Sequence, residues 1–241
     1  MDNNAVKERG MIFNAEMVRA ILDGRKTQTR RIISDRHIHL IDAASQVGEC
    51  YPLESGVDHG NSQSYYREHC PFGKPGDRIW VRETWSQLGN EDGCAINWND
   101  ELVKGGGPEA ARIYRASCEQ KPGNYGLWSI PDDAFWKPHT DSMEFEGAWR
   151  PSIHMPRWAS RITLEITDVR VERLNDISQS DALSEGMPVS HPSIDSVSRS
   201  LGYPDFSRSA FAQLWQSIYG EESWQANPWV WVIEFKRVEG E

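Results

Sequence analysis

Trp229-Val230-Trp231-Val232-Ile233-Glu234-Phe235-Lys236-Arg237-Val238 is made largely of β-branched and aromatic residues. Apolar side chains fall on both faces at its start, which predicts a strand buried inside a sheet. Its partner is sought upstream, where Ile162, Leu164 and Ile166 alternate and Val169 and Val171 continue in the opposite phase. A slip of one residue moves every side chain to the other face, so this pattern predicts a strand pair, or one strand with a bulge near Thr167-Asp168. Lys74-Pro75-Gly76-Asp77 is a turn signal, and Arg78 to Trp85 after it reads as a third strand. Ala111 to Ala116 is a further short candidate.

Helix signals lie between these strands. Asn14 is placed to cap a helix over Ala15 to Asp23, with Met17, Val18, Ile21 and Leu22 on its apolar face and Gly24 at its stop. Ser178 and Asp181 have the spacing of a capping box opening a short helix to Glu185, ended by Gly186. Phe211, Leu214, Trp215 and Ile218 recur at helical spacing. Residues 1–10 read as a loose start, and residues 34–75 and 187–207 as loops. The stretch 86–147 reads as an elaboration without a core of its own. The tally predicts an α+β fold, a mixed β-barrel with short flanking helices and a long irregular insertion. Residues 11–238 are expected to form one domain, with insertions at about 34–70, 86–147 and 188–207.

The chain has 241 residues, 26 basic and 36 acidic, for a net charge of −10. That balance excludes a protein that coats nucleic acid by bulk charge, while leaving room for a local basic site. No run approaches the ~18 apolar residues of a membrane span, and the polar start lacks a signal core, so a cytoplasmic location is expected.

Two basic islands stand out. Arg25-Lys26-Thr27-Gln28-Thr29-Arg30-Arg31 opens a segment, Arg25 to Arg36, with five basic residues and one acidic. Arginine forks, hydroxyls and backbone amides together suit phosphate or sugar, although such runs are often solvated loops. The second island, Trp149 to Arg161, holds three arginines and one histidine, with Trp149 and Trp158 bracketing it. Aromatic faces beside guanidinium groups suit an unstacked base, with Arg157 among the cations. Both tryptophans as core residues is the plainer alternative. Glu83 shares a strand face with Ile79 and Val81, where a carboxylate is either paired or poised for proton transfer.

In this order, Gly24-Arg25-Lys26-Thr27-Gln28-Thr29-Arg30, Gly76 to Glu83, Ile162 to Thr167, Ala182 to Met187 and Val230 to Lys236 resemble the ASCH domain, a relative of the PUA fold, in the longer form found in phages and prophages. The resemblance implies a PUA-like barrel and an RNA-associated or nucleic-acid-binding module. One branch of that family is an amidohydrolase that removes the acetyl group from N4-acetylcytidine without a metal or cofactor. Carried over by motif, its site falls on Lys26, Thr29 and Glu185. Thr29 would be the nucleophile, Lys26 its base, and Glu185 the group that orients the lysine or protonates the leaving nitrogen. Arg25, Arg30, Glu83, Trp149, Arg157 and Trp158 would bind the substrate, a nucleoside or single nucleotide in nucleic acid. The alternatives are a non-catalytic module for RNA or modified nucleic acid, a ribonuclease, and a structural phage protein.

Cys50, Cys70, Cys94 and Cys118 stand 20, 24 and 24 residues apart with no CxxC pair. Without a signal sequence, free thiols are expected, and the irregular spacing of Cys50, His59, His69 and Cys70 argues against a zinc site. Elemental analysis of protein purified without added metal is expected to find no stoichiometric zinc.

Overall fold

The computed structural model describes residues 5–55, 60–90, 92–118, 125–126, 144–145, 148–189, 192–202 and 205–238. The chain begins with strand β1 (Glu8–Ile12), helix α1 (Ala15–Leu22), β2 (Gln28–Ile32), α2 (Asp35–Gln46) and α3 (Gly60–His69). It continues with β3 (Arg78–Arg82), β4 (Trp85–Gln87), β5 (Arg112–Tyr114) and the two-residue strands β6 (Tyr125–Gly126) and β7 (Glu144–Phe145). The last elements are β8 (Thr163–Arg173), α4 (Gln179–Ser184), α5 (Pro192–Ser200), α6 (Phe206–Tyr219) and β9 (Trp229–Arg237).

Five strands form the main sheet, in the order β1-β3-β8-β9-β2. The strands read from residues 78–85, 161–171 and 229–238 are therefore neighbours. β1 and β2 stand at the two ends and do not pair with each other, so the sheet is open. This overturns the PUA-like barrel: a barrel needs its two edges to join, and alternation within a strand carries no information about closure. Irregularity between Ile166 and Asp168 shifts the register of β8 against β9. One strand with a bulge, and not a strand pair, accounts for the phase slip at Thr167.

The described residues divide into two compact units, those within 5–9, 20–79 and 164–238 in one and those within 10–19 and 80–163 in the other. In the first unit, β9 is antiparallel to both β2 and β8, with Arg30 opposite Val232 and Val232 opposite Arg170. The face bearing Val230 and Val232 packs with Leu174, Ile177, Ala182, Phe211 and Trp215, so α4 and α6 cover it. On the other face the Trp231 ring meets Tyr66 of α3 and His37 of α2 edge-on. Helices on both sides explain why Val230 to Ile233 are all buried.

In the second unit, Leu88, Ile96, Ala111, Ile113 and Cys118 form a core against which Trp98 and Trp149 pack. Trp85, Tyr114, Met155 and Ala159 form another. The described part of 86–147 thus has a core of its own, contrary to the sequence expectation. Its buried residues, Leu88, Ile96, Ala111, Ile113 and Cys118, stand at irregular spacing, so periodicity does not reveal it.

Three further segments depart from expectation. Residues 8–12 form the edge strand β1, exposed except at Met11. Within 34–75 lie α2 and α3, and within 187–207 lies α5. These helices are polar in composition and bury few side chains, Ile41 and Ala44 in α2. The capping box is present: Ser178 Oγ accepts from Asp181 N at 3.0 Å, and Ser178 N donates to Asp181 Oδ2 at 3.3 Å. Among the described residues no helix is long and apolar enough to cross a membrane.

Replacing Ser178→Ala removes the acceptor for an N-terminal amide of α4 and is expected to cost about 0.5–2 kcal/mol. Ile233→Ala, at a fully buried position on the interior strand β9, is expected to cost about 2–5 kcal/mol. Urea unfolding of the two variants measures both.

Candidate functional site

The first basic island lies in the first unit and is not a solvated loop. Lys26, Gln28, Thr29 and Arg30 are each at most 2% exposed. After α1 the chain turns at Gly24, whose φ of 73° suits glycine. The amides of Arg25 and Lys26 both donate to Ala20 O at 2.9 Å. Thr27 N then donates to Ser184 O at 2.7 Å, joining the approach to β2 to the end of α4. Gly186 makes this approach possible: a Cβ there would lie 2.8 Å from Ala20 Cβ and 3.2 Å from Lys26 Cβ.

Lys26 Nζ donates to Glu185 Oε2 at 2.5 Å and to Glu185 O at 2.9 Å. Arg30 Nη1 contacts the other carboxylate oxygen, Glu185 Oε1, at 3.2 Å. Its Nη2 lies 2.5 Å from Glu172 Oε1 and 3.6 Å from Asp181 Oδ2. Arg170 joins Glu172 at 3.1 Å, Asp181 at 3.0 Å and Glu234. Gln28 Nε2 donates to the backbone oxygen and to Oδ1 of Asp181, each at 2.9 Å. The cations Lys26, Arg30 and Arg170 thus interlock with the carboxylates of Glu172, Asp181, Glu185 and Glu234. Burial lowers the Lys26 pKa, and the adjoining Glu185 carboxylate only partly opposes it. Burial alone would raise the Asp181 pKa; hydrogen bonds from Gln28 and Ser178 and the charges of Arg30 and Arg170 outweigh it and hold that carboxyl at about 2.

Lys26, Arg30 and Glu185 are therefore brought together. Thr29 is not part of their set. Successive side chains of a strand alternate, so Thr29, opposite Ile233, points away from the face that carries Gln28 and Arg30. Its Oγ1 is buried with no hydrogen-bond partner among the described residues. Arg25 is half exposed and engages Asp23 and Gly186 O. An open groove of about 580 Å³ in this unit is lined by Gln213, Gln216, Ser217, Glu221, Glu222 and Gln225, none of them a predicted site residue.

Glu83, Trp149, Arg157 and Trp158 belong to the second unit. Glu83 forms a two-pronged pair with Arg161, at 2.9 and 3.0 Å, with both side chains under 5% exposed. Arg161 lies over the Tyr114 ring at 4.2 Å, and Tyr114 Oη donates to Ala159 O. Trp149 serves the core. Trp158 is 37% exposed and stands edge-on to Trp85 at 5.5 Å. Arg112 lies over Trp158 at 5.7 Å, Arg150 over Trp85 at 5.1 Å and Arg82 over Trp80 at 5.5 Å. Arg157 Nη2 donates to Thr163 Oγ1 at 3.2 Å. Arg82 and Arg112 spend their hydrogen bonds on backbone oxygens, of Ser152 and Ile153 and of Trp158. Exposed Ile153 borders them. The arginines at 82 and 112 escape sequence reading because they sit in separate strands; only their alternation with buried Val81 and Ile113 marks them as outward-facing.

Among the described residues no three of His, Cys, Asp and Glu gather as metal ligands. His59 of the imagined zinc set lies outside them. The cysteines form no disulfide, and burial pushes Cys70 up to about 11 and Cys118 up to about 12, which disfavours the thiolate at both.

No protein-family model, no curated protein and no solved structure matches the chain. With the open sheet, this removes the support for an ASCH or PUA-like identity. What the motif order shares with that family is a helix, a basic turn and a set of strands, a combination not particular to one fold.

Removing one partner of the buried network strands a charge, so Glu185→Leu is expected to destabilise by about 3–5 kcal/mol, and the double variant Lys26→Met with Glu185→Leu to recover most of the loss. Asp181 adds a pH dependence. Its carboxyl is lowered on folding, so its contribution is full above the ordinary carboxylate range and disappears as pH falls towards about 2. Asp181→Asn is expected to flatten that part of the acid-unfolding profile.

Proposed function

We propose that this chain acts in the cytoplasm as a binding module for single-stranded nucleic acid, RNA or a strand with a modified base, through the arginine–tryptophan surface of the second unit. The observation that carries this reading is the exposed Trp158 with Arg112 over its face and Arg150 on the adjoining Trp85. None of Arg82, Arg112 and Arg150 has a carboxylate partner among the described residues. An aromatic face accepts any unstacked base, and guanidinium groups beside it meet the phosphates. The net charge of −10 opposes long, non-specific coating, so the reading is of a short footprint. Anisotropy of a labelled short oligonucleotide tests it. Trp158→Ala is expected to weaken binding by about 1–3 kcal/mol, roughly 5- to 150-fold. Three phosphate contacts predict a log–log salt slope of about −2. Absence of binding at low salt, or binding indifferent to Trp158→Ala, overturns it.

A second reading rests on the 2.5 Å contact of Lys26 with Glu185. A desolvated amine beside a carboxylate is a proton-transfer pair, which supports hydrolysis of an acylated nucleoside such as N4-acetylcytidine. With Thr29 facing the other way, water is the nucleophile: it adds to the acyl carbon, the C–N bond breaks, and the exocyclic nitrogen leaves protonated. Chromatography of N4-acetylcytidine after incubation decides this; turnover that is lost in Lys26→Arg supports it, and no turnover rejects it.

A further inference from the structure

Trp80 and Arg82 of β3 are partly exposed and alternate with buried Ile79 and Val81. Both lie against Gly10. A Cβ at Gly10 would stand 2.5 Å from Trp80 Cζ2 and 2.8 Å from both Trp80 Cε2 and Arg82 Cδ. Gly10 is not among the glycines with positive φ, so close approach, and not backbone conformation, calls for glycine there. The Arg82 guanidinium lies 5.5 Å from the Trp80 centroid. It is fixed a second time, Nε donating to Ser152 O at 3.2 Å and Nη2 to Ile153 O. A guanidinium has five N–H donors, so three of those on Arg82 have no partner among the described residues. The same arrangement stands at Trp158, where Arg112 lies over the ring and donates to Trp158 O. The segment 152–158 thus runs from one tryptophan–arginine pair to the other, and Ile153 on it is exposed. A large ring over a strand glycine is also a packing device. Packing calls neither for a cation on the ring nor for donors left over beside it.

We infer that Trp80 is a second stacking platform, and that the ligand of this surface is a single strand with two separately held bases, one on Trp80 and one on Trp158. The inference rests on the single-strand reading of the second unit and deepens it. A mononucleotide fills half of such a site, and a duplex, whose bases are stacked on each other, fills neither platform. Each ring accepts any base by its π-face, and the spare donors of Arg82 and Arg112 meet phosphate oxygens. Ile153, an exposed apolar side chain on the joining segment, suits the role of a wedge that keeps the two bases from stacking on each other. The chain from Ile153 to Trp158 spans at most about 18 Å. A strand of about six nucleotides, at ~3.4 Å each when stacked, covers that distance.

Anisotropy of labelled abasic strands of that length, carrying no thymine, one thymine, or two at each spacing, tests this on the full chain. The second thymine is expected to raise affinity by about 5- to 150-fold at its best spacing. Trp80→Leu keeps an apolar cover over Gly10 but removes the π-face. It is expected to abolish the gain from the second thymine while leaving the one-thymine strand bound as before. Trp80→Phe keeps a face and is expected to keep most of the gain. A strand with 5-iodouracil as its second base is expected to cross-link to Trp80 of the unaltered chain on irradiation, located by mass spectrometry, a readout that needs no variant to fold. A second thymine that adds nothing at any spacing, a gain that survives Trp80→Leu, or cross-links confined to other residues overturns the second platform and leaves the single-strand reading standing. A one-thymine strand bound no more tightly than the bare abasic strand overturns that reading, and this proposal with it.

Discussion

The first unit depends on one interaction, the contact of Lys26 with the Glu185 carboxylate, closed on its other oxygen by Arg30. A lysine and an arginine with fully buried side chains carry a desolvation cost that only matched carboxylates offset. That requirement explains several features at once. Gly186 has no Cβ because the end of α4 must come close to α1 and to Lys26. The capping box starts α4 where Asp181 can accept from Gln28 and Arg170. Glu172 and Arg170 stand on β8, Glu234 on β9 and Arg30 on β2, so the network stitches three strands to one short helix.

Such a network gives orientation more than net stability, because its Coulomb gain is spent against desolvation. Apolar packing supplies the favourable energy: Phe211 and Trp215 of α6 lie with Val230 and Val232, and Arg30 itself rests over the Phe211 ring at 5.8 Å. The charged cluster then determines which side of the edge strand β2 faces α4. A strand reading Gln-Thr-Arg-Arg-Ile has little hydrophobic pattern to set that choice.

The second unit treats its charges differently. Glu83 and Arg161 are paired and enclosed, while Arg112 and Arg150 lie against aromatic rings at or near the surface. A guanidinium has five donors, so one held on an indole face and by a single backbone oxygen, as Arg112 is by Trp158 O, does not exhaust them. That separates a structural ion pair from a surface able to meet a ligand, though the three arginines look alike in a list of charges.

Sequence alone determined the elements with strong local signals. The strand from Trp229, the alternating run from Ile162 with its phase slip near Thr167, the capped helix from Ser178 and the helix carrying Phe211 and Trp215 each have a periodicity or cap that marks the local conformation. The candidate residues at 26, 30 and 185 were legible as an unusual basic run and a glutamate at a helix end. Tertiary structure decided the rest. Whether β1 and β2 join is a matter of long-range geometry, so the open sheet could not be read from alternation. Helices α2, α3 and α5 bury so few apolar residues that their sequences look like loops. The burial of Lys26 and the turning of Thr29 to the opposite face follow from where α4, more than 150 residues away in sequence, meets the start of β2. A chain records which residues are charged; only the folded arrangement of their neighbours decides which charges are neutralised inside and which remain available to a partner.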